Sequence, residues 1–549
     1  MKRNDLNGKT FAGLDRKTVV AAFVFIVVGF LALTLPDHPG AFHLRAFRQF
    51  PLEIPIAALV LLFLSRRLAT PVAALLALAV FTLLFLKIAD TGVEAAFQRR
   101  FNPYLDIKMM VDGWNLVSGT FGTATAALVL TLVFATFIAA LVIFFIAARH
   151  LAAIGQAGRR TMIKTFGVAL TAGVILFAAG PSVGLQGVAN LRAGSYLEAR
   201  LSLVARSVAD MSVFEKQLAA PETIPAGSDL FAAIRGRDVV LIFVESYGRS
   251  AVEDPRYSPI MKPRLASVEK ELDAAGFASA SGWSVSPTVG GISWLAHGTF
   301  LSGLWIDSQA RYDRLMISKR PSLNRLFSQA GWQTAAVMPA ITMPWPEADY
   351  FGYDKVLVAK DLGYRGKPYN WVTMPDQYTL SALDRLVRQP AREAGKPVMV
   401  ETALISSHAP WTPVAKLIDW ADVKDGTAFN DQATSGDSPS VVWSDPERVR
   451  QQYIGTIDYS LQTVGDYIAH FGKDAVFIIL GDHQPAAIVT GQGASRAVPI
   501  HIVSRDKALI DRFEAEGYAA GMTPGPDTPE QPMDGMRDRL IRVFGAATS

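Results

Sequence analysis

Val476-Phe-Ile-Ile-Leu-Gly-Asp-His483 decides how the C-terminal half of this chain is read. A short, uniformly apolar, β-prone run is the pattern of a strand buried on both faces, as in parallel sheets covered by helices. Gly481 permits a sharp turn after the run, and the adjacent Asp482 and His483 can both reach one cation. Similar runs lie on either side, at Val239–Val244, Thr334–Met338, Val398–Ile405 and Val498–Val503, alternating with helical stretches. That alternation predicts an α/β domain with a largely parallel sheet. Glu245 directly follows the first of these runs, and His408 lies just beyond the run ending at Ile405. Ligands of open α/β sheets bind outside the carboxyl ends of the strands, so Glu245, His408, Asp482 and His483 are expected to converge at one sheet edge.

Two carboxylates and an imidazole form a hard, oxygen-rich donor set with room for one more oxygen. Such a set suits one divalent ion, Mn²⁺, Zn²⁺ or Mg²⁺. The best source of the missing oxygen is Ser286-Pro-Thr-Val-Gly-Gly-Ile-Ser-Trp-Leu-Ala-His297. Gly290-Gly291 makes a flexible loop, and Ser293 opens an apolar helix running through Leu301. A hydroxyl there meets free backbone N–H groups and the positive end of the helix dipole, which favour phosphate and alkoxide alike. The same position also suits an ordinary Ser N-cap, and Thr288 is the second candidate nucleophile. His297 is one helical turn beyond Ser293 and shares its face. It is either a phosphate-contacting imidazole or a packed, hydrogen-bonded one. His501, inside a strand-like run, reads as structural, and Arg365 and Lys367 are loop cations available to a substrate.

The chain has 549 residues and a formal charge of +4, with no basic runs interleaved with aromatics, so nucleic acid is not an expected partner. It contains no cysteine, which excludes a disulfide framework, thiolate ligands and a cysteine-derived nucleophile. Residues 1–180 are dominated by long apolar runs. Five segments approach the length of a membrane span: Val19–Leu35, Pro51–Leu64, Pro71–Leu86, Ala124–Ala148 and Phe166–Ala179. The second is short and contains Glu53 and Pro55, leaving a four-span arrangement as the alternative. Basic residues favour five. Lys2, Arg3, Lys9, Arg16 and Lys17 precede the first segment, Arg66 and Arg67 separate the second from the third, and Arg149, Arg159, Arg160 and Lys164 separate the fourth from the fifth. All three stretches are cytoplasmic if five helices alternate, which places the chain after Ala179 outside the cytoplasm. No ionisable residue occupies the middle of a predicted span, so an anchor is expected, not a carrier. The loop Thr91–Thr120, with Phe101, Tyr104 and Trp114, suits interfacial helices. The expected organisation is a five-helix transmembrane domain over 1–180, an amphipathic linker over 181–228 and a catalytic domain over 229–549.

With these residues in place, the chain resembles the branch of the alkaline phosphatase superfamily that contains lipoteichoic acid synthases and lipid A phosphoethanolamine transferases. Val244-Glu-Ser-Tyr-Gly248 resembles that family's first metal-ligand motif, Gly291-Ile-Ser293 sits where the family places a catalytic Thr, and Gly481-Asp-His483 is similar to its final ligand pair. Ser406-Ser-His-Ala-Pro410 resembles the segment whose His contacts the substrate phosphate. Phe351–Lys355 and Trp371–Asp376 resemble further motifs of the branch, in the same order along the chain. Departures are a Ser for the Thr, Pro346-Glu347 after Trp345 where lipoteichoic acid synthases carry an Arg, and Gln484-Pro485 after the Asp-His pair where the phosphoethanolamine enzymes carry Gly-Glu.

The resemblance implies a sulfatase-like extracytoplasmic domain on a bacterial inner-membrane anchor. It implies Glu245, Ser293, Asp482 and His483 as metal ligands, Ser293 as nucleophile, and His408, Trp345 and His297 as substrate contacts. The implied reaction takes a headgroup phosphate, of phosphoethanolamine or phosphoglycerol type, from a membrane phospholipid to an envelope glycan or lipid. A phosphodiesterase, phosphatase or sulfatase of the same fold is the alternative. A formylglycine sulfatase is disfavoured, because Ser293 is followed by Trp-Leu-Ala-His and not by x-Pro-x-Arg.

Overall fold

A computed structural model describes residues 14–106, 114, 118, 122–179, 182, 185, 187–222, 224 and 230–546. Lys2, Arg3 and Lys9, most of the 107–121 stretch, and the expected domain boundaries at 180/181 and 228/229 lie outside the described residues. The chain divides into two compact units, Met1–Ala95 with Arg99–Val208, and Ala96–Gln98 with Ala209–Ser549.

The first unit is built from α1 (Arg16–Thr34), α2 (Glu53–Phe63), α3 (Arg66–Phe97), α4 (Thr123–Ala153), α5 (Gln156–Ala179) and the first half of α6 (Ala193–Ala219). Asp15 starts α1 by accepting the Thr18 N–H at 3.1 Å. Large apolar side chains face outward along the helices, among them Phe23, Leu75, Phe134 and Val168. Helices apolar all round are those of a membrane span or a large core, and α1, α3, α4 and α5 are long enough to cross a bilayer.

Of the five expected segments, four form helices of membrane-crossing length and the second, already short in sequence, forms a shorter apolar helix. α2 has 11 residues, about 16 Å at the α-helical rise, against about 30 Å of hydrocarbon. It starts late because β1 (Phe50–Pro51) is extended and pairs with β2 (Ala189–Asn190), and it stops early because Leu64 turns extended. The chain nevertheless runs along α5 from one end towards the other. Near the C-terminal end of α5, a Cβ on Gly173 would lie 2.5 Å from Leu52. Near the N-terminal end, the Arg159 guanidinium donates to the carbonyls of Leu62 and Leu64, capping orphan acceptors of the short helix. The start of α1 shares this second end, since Thr18 Oγ1 lies 3.1 Å from His150 Nε2 near the end of α4. The start of α6 therefore sits at the end of the unit opposite the start of α1.

The second unit is an α/β domain. Its strands are β3 (Asp238–Val244), β4 (Ala278–Val285), β5 (Gln333–Met338), β6 (Lys355–Val358), β7 (Val398–Leu404), β8 (Ala475–Gly481), β9 (Ala497–Ser504), β10 (Ala519–Ala520) and β11 (Glu530–Pro532). They form one sheet in the order β10-β4-β9-β8-β3-β7-β5-β6, with β11 also on β4. The centre, β8-β3-β7-β5-β6, is parallel as expected. The far side is not: β9 is antiparallel to both β8 and β4. The short connection from β8 to β9 carries one four-residue helix, too little for the crossover a parallel pair needs.

All seven residues of β3 are buried, and each fully buried Val, Ile or Phe there contributes about 1.5–3 kcal/mol. Cutting Ile242 back to Ala would cost about 2–5 kcal/mol through the cavity it leaves. Among the covering helices are α7 (Ser258–Ala274) and α9 (Pro446–Phe471), which pack together; α8 (Ser293–Ser302) carries the candidate nucleophile. Proline at N1 and the Asp445 cap start α9.

Candidate active site

Strand register builds the site. Val244 pairs with both Leu404 and Gly481, so β3, β7 and β8 end at one level and Glu245, Ile405 and Asp482 emerge side by side. The 405–408 turn is pinned from below by Asp376, which is fully buried. It accepts the N–H groups of Ile405 and Ser406, each at 2.9 Å, and the Ser460 hydroxyl at 2.6 Å. Gly481 is required here for space, not for a turn: a Cβ would lie 1.9 Å from the Tyr247 carbonyl oxygen.

Glu245, Asp482 and His483 each offer a ligand atom, all within 4.8 Å of one another. His483 Nδ1 lies 2.8 Å from the Gln484 carbonyl, which assigns that nitrogen the proton and leaves Nε2 facing the cluster. Asp482 Oδ1 accepts the N–H of Ser246 at 2.8 Å and of His483 at 2.7 Å. Ser293 Oγ donates to Glu245 Oε2 at 3.0 Å and lies 3.3 Å from His483 Nε2. The four residues expected as ligands are thus brought together at one point. Ile292 has φ 63°, a strained left-handed turn for a branched residue, and it aims Ser293 from the start of α8 into the cluster. Thr288 is spent elsewhere, donating to the Gly291 carbonyl at 2.8 Å.

The side chains of the cluster compete for protons. Burial and the neighbouring Glu245 charge push Asp482 up to about 7. Burial opposes a charge on His483, but Asp482 and Glu245 outweigh it and push the imidazole up to about 9. Glu245 is likewise opposed by burial, yet His483 holds it well below the usual carboxylate range. Protons on Asp482 and His483 do for these anions what a divalent ion would do better. Two carboxylates, an imidazole nitrogen and a hydroxyl converging in a buried site fit such an ion.

The remaining expected residues divide. His408 stacks on Trp371 with ring centroids 4.1 Å apart, and its Nδ1 is 2.6 Å from the Ala409 carbonyl. Its charge, when present, acts on Glu245, so it flanks the cluster. His297 stacks on Phe243 at 3.8 Å, with Nδ1 2.7 Å from Glu401 Oε1. Trp345 packs beside Phe351 and Tyr353, with centroids 6.0 and 5.9 Å away, and makes no ring contact with the cluster among the described residues. Arg365 and Lys367 are exposed, their backbone N–H groups tied to Asp425 and Asn430. His501 is fully buried between the Ser281 hydroxyl at 2.7 Å and the Tyr247 hydroxyl at 3.1 Å, a structural bridge. Glu401 escaped the sequence reading. It lies in β7, 1% exposed, and Tyr353 O–H donates to its Oε2 at 2.5 Å. Its signal was an ionisable residue inside the apolar run Val398–Leu404.

The family model described as Sulfatase matches residues 237–497. This stretch is sulfatase-like. It spans Glu245, Ser293, His408, Asp482 and His483, and it meets the recognition drawn from the motifs. No curated protein matches the chain by sequence. Solved structures similar to it include the lipoteichoic acid synthase LtaP from Listeria monocytogenes, at 14% identity and a TM-score of 0.37, covering 60% of this chain and 76% of that one. The periplasmic domain of EcEptC from Escherichia coli, in complex with Zn, gives 14% and 0.36 over 56% and 82%. The Streptococcus pyogenes phosphoglycerol transferase GacH, in complex with sn-glycerol-1-phosphate, gives 13% and 0.34 over 62% and 90%. The sulfatase-like domain follows four helices of membrane-crossing length and one short apolar helix among the described residues.

Proposed function

We propose that this chain transfers a headgroup phosphate, of phosphoethanolamine or phosphoglycerol type, from a membrane phospholipid through Ser293 to a glycan or lipid of the cell envelope. The single observation that carries the reading is Ser293 Oγ, held at a helix start between Glu245 and His483, on a chain with membrane-crossing helices. The N-terminal helices favour a lipid donor over a soluble one.

Glu245, Asp482, His483 and Ser293 would hold one divalent ion, Mn²⁺ or Zn²⁺ in this reading and Mg²⁺ less well suited to the imidazole. That ion, when bound, lowers the hydroxyl pKa of Ser293 and offsets charge on the phosphate. In the first step Ser293 Oγ forms a bond to phosphorus, and the bond from phosphorus to the glycerol oxygen of diacylglycerol breaks. The proton given up by the Ser293 hydroxyl ends on the departing oxygen, releasing diacylglycerol. The free N–H groups at the start of α8 and the His408 imidazole steady the phosphoryl oxygens. In the second step an acceptor hydroxyl displaces Ser293 and its proton returns to the serine oxygen. Trp345 and His297 border the donor headgroup. In this reading the sulfatase-like domain works on the extracytoplasmic side of a bacterial inner membrane.

The adduct mass tests this. Full-length protein is incubated with mixed phospholipids and no acceptor, quenched in acid and digested, and the peptide containing Ser293 is weighed while released diacylglycerol is measured. A headgroup transferase leaves phosphate plus its alcohol on Ser293; a phosphatase leaves a bare phosphoryl group. Ser293→Ala abolishes both signals, and diacylglycerol release at the wild-type rate from that variant would overturn the assignment.

A further inference from the structure

The membrane unit contains a second polar site, at the end where α6 begins. A cavity of about 560 Å³ is enclosed by the end of α1, the 36–49 loop, α3 and the start of α6. That volume falls within the range of small-ligand sites, about 300–1,000 Å³. Three basic side chains line it, Lys87, Arg100 and Arg192, against one carboxylate, Asp37. Arg100 lies 3.9 Å from Asp37, whose charge also acts on Lys87, so three basic side chains share one lining carboxylate.

Of the other nearby acids, Asp90 is fully paired, while Glu53 keeps one buried carboxylate oxygen, Oε2, without a hydrogen-bond partner. Asp90 is fully buried and takes the Arg200 guanidinium and the Tyr196 hydroxyl. Glu53 Oε1 accepts the backbone N–H groups of Arg192 and Ala193 at 2.6 and 2.9 Å. Lys87 is only 8% exposed, and its ammonium donates to the Leu33 carbonyl at 2.6 Å. An ammonium carries three donors, and burying one that is incompletely paired is costly. Arg100 and Arg192 are exposed, so their guanidinium groups stand open to an arriving anion at the mouth of the cavity that Lys87 lines. Leu33, Leu35 and Leu83 line the same cavity, giving it the apolar wall that a free anion would not need. Basic pockets at the ends of membrane helices hold anionic lipid headgroups by this combination.

We propose that this cavity binds the headgroup of a membrane glycerophospholipid with net negative charge, in preference to a zwitterionic one. The site goes beyond the transfer reaction and needs no turnover. It is tested on full-length Ser293→Ala protein, so that failure of the proposed chemistry leaves the result intact. The delipidated protein in detergent is titrated by native mass spectrometry with phosphatidylglycerol and with phosphatidylethanolamine of the same acyl chains. At about fivefold per unit charge, phosphatidylglycerol should bind about fivefold more tightly. Arg192→Met should weaken it about fivefold and Arg192→Glu about thirtyfold, with Arg100→Glu in the same direction and melting temperatures unchanged. Soluble glycerol phosphate should compete poorly, because it lacks the chains that meet the apolar wall. Equal binding of the two lipids, phosphatidylglycerol affinity unmoved by the Arg192 variants, or full competition by glycerol phosphate would each overturn the proposal.

Discussion

Glu401 offers the sharpest energetic test, because its contacts are few, buried and charged. Its carboxylate accepts the Tyr353 hydroxyl at 2.5 Å and lies 2.7 Å from His297 Nδ1. Burial and the Glu401 charge hold the Tyr353 phenol well above its ordinary value, so it stays a donor. Tyr353→Phe deletes one hydrogen bond to a charged group and should cost about 1.5–3 kcal/mol. Glu401→Leu removes the acceptor from the Tyr353 hydroxyl and the His297 ring and should cost about 3–5 kcal/mol, as two hydrogen bonds to a charged group are lost. In the Glu401→Leu background the phenol loses its carboxylate acceptor and has the Asn324 amide as its other polar neighbour, so adding Tyr353→Phe should cost less than it does alone. The double-mutant cycle should therefore show a coupling of about 1.5 kcal/mol or more. Full-length protein in detergent, unfolded with denaturant and followed by tryptophan fluorescence, provides the assay. Bound metal should be unchanged in all three variants, since no ligand is touched. A Tyr353→Phe cost below about 0.5 kcal/mol, or strict additivity in the cycle, would refute the network.

Three further outcomes are expected. Asp482→Ala should lose the divalent ion, read as metal stoichiometry falling from about one per chain, while retaining the fold; full turnover by verified metal-free protein would refute the metal assignment. Burial lowers the folded-state pKa of His501 to about 3 from an ordinary 6.5. The folded state then binds fewer protons than the unfolded state between those values, so stability is present above about 6.5 and falls as pH drops. The loss should reach about 2 kcal/mol at pH 5, and His501→Gln should flatten the pH 5–7 slope; an unchanged slope refutes the bridge. For topology, five passes place Ser549 outside the cytoplasm, so a periplasm-active reporter fused there should be active. Activity of a cytoplasm-only reporter instead would show that α2 does not cross.

Much of the α/β unit was legible because its central strands are buried on both faces. Such burial writes itself as short apolar runs, and the residues just after each run face the sheet's carboxyl edge. Hence Glu245, Asp482 and His483 were placed by pattern alone. β4 was not, since Ala-Ser-Ala-Ser-Gly-Trp-Ser-Val carries little hydrophobic signal and is buried by its neighbours, β9 and β11 among them. The antiparallel turn of β9 was hidden for a similar reason: direction depends on the length and path of a connection, not on the strand's composition.

Composition and period record burial directly, so the residue types of the site, their order and the apolar segments before them could be read from the linear chain. Packing in three dimensions was needed to show that α2 is too short for a full span and that Gly481 answers to the Tyr247 carbonyl. It was needed again for Thr288 donating to Gly291, for Glu401 reaching His297 and Tyr353, and for Lys87, Arg100 and Arg192 sharing one cavity. Each of these is a contact between residues apart in the chain or a backbone geometry set by packing. Local propensity carries no information about which distant group arrives opposite, and that is where the physical content of the site resides.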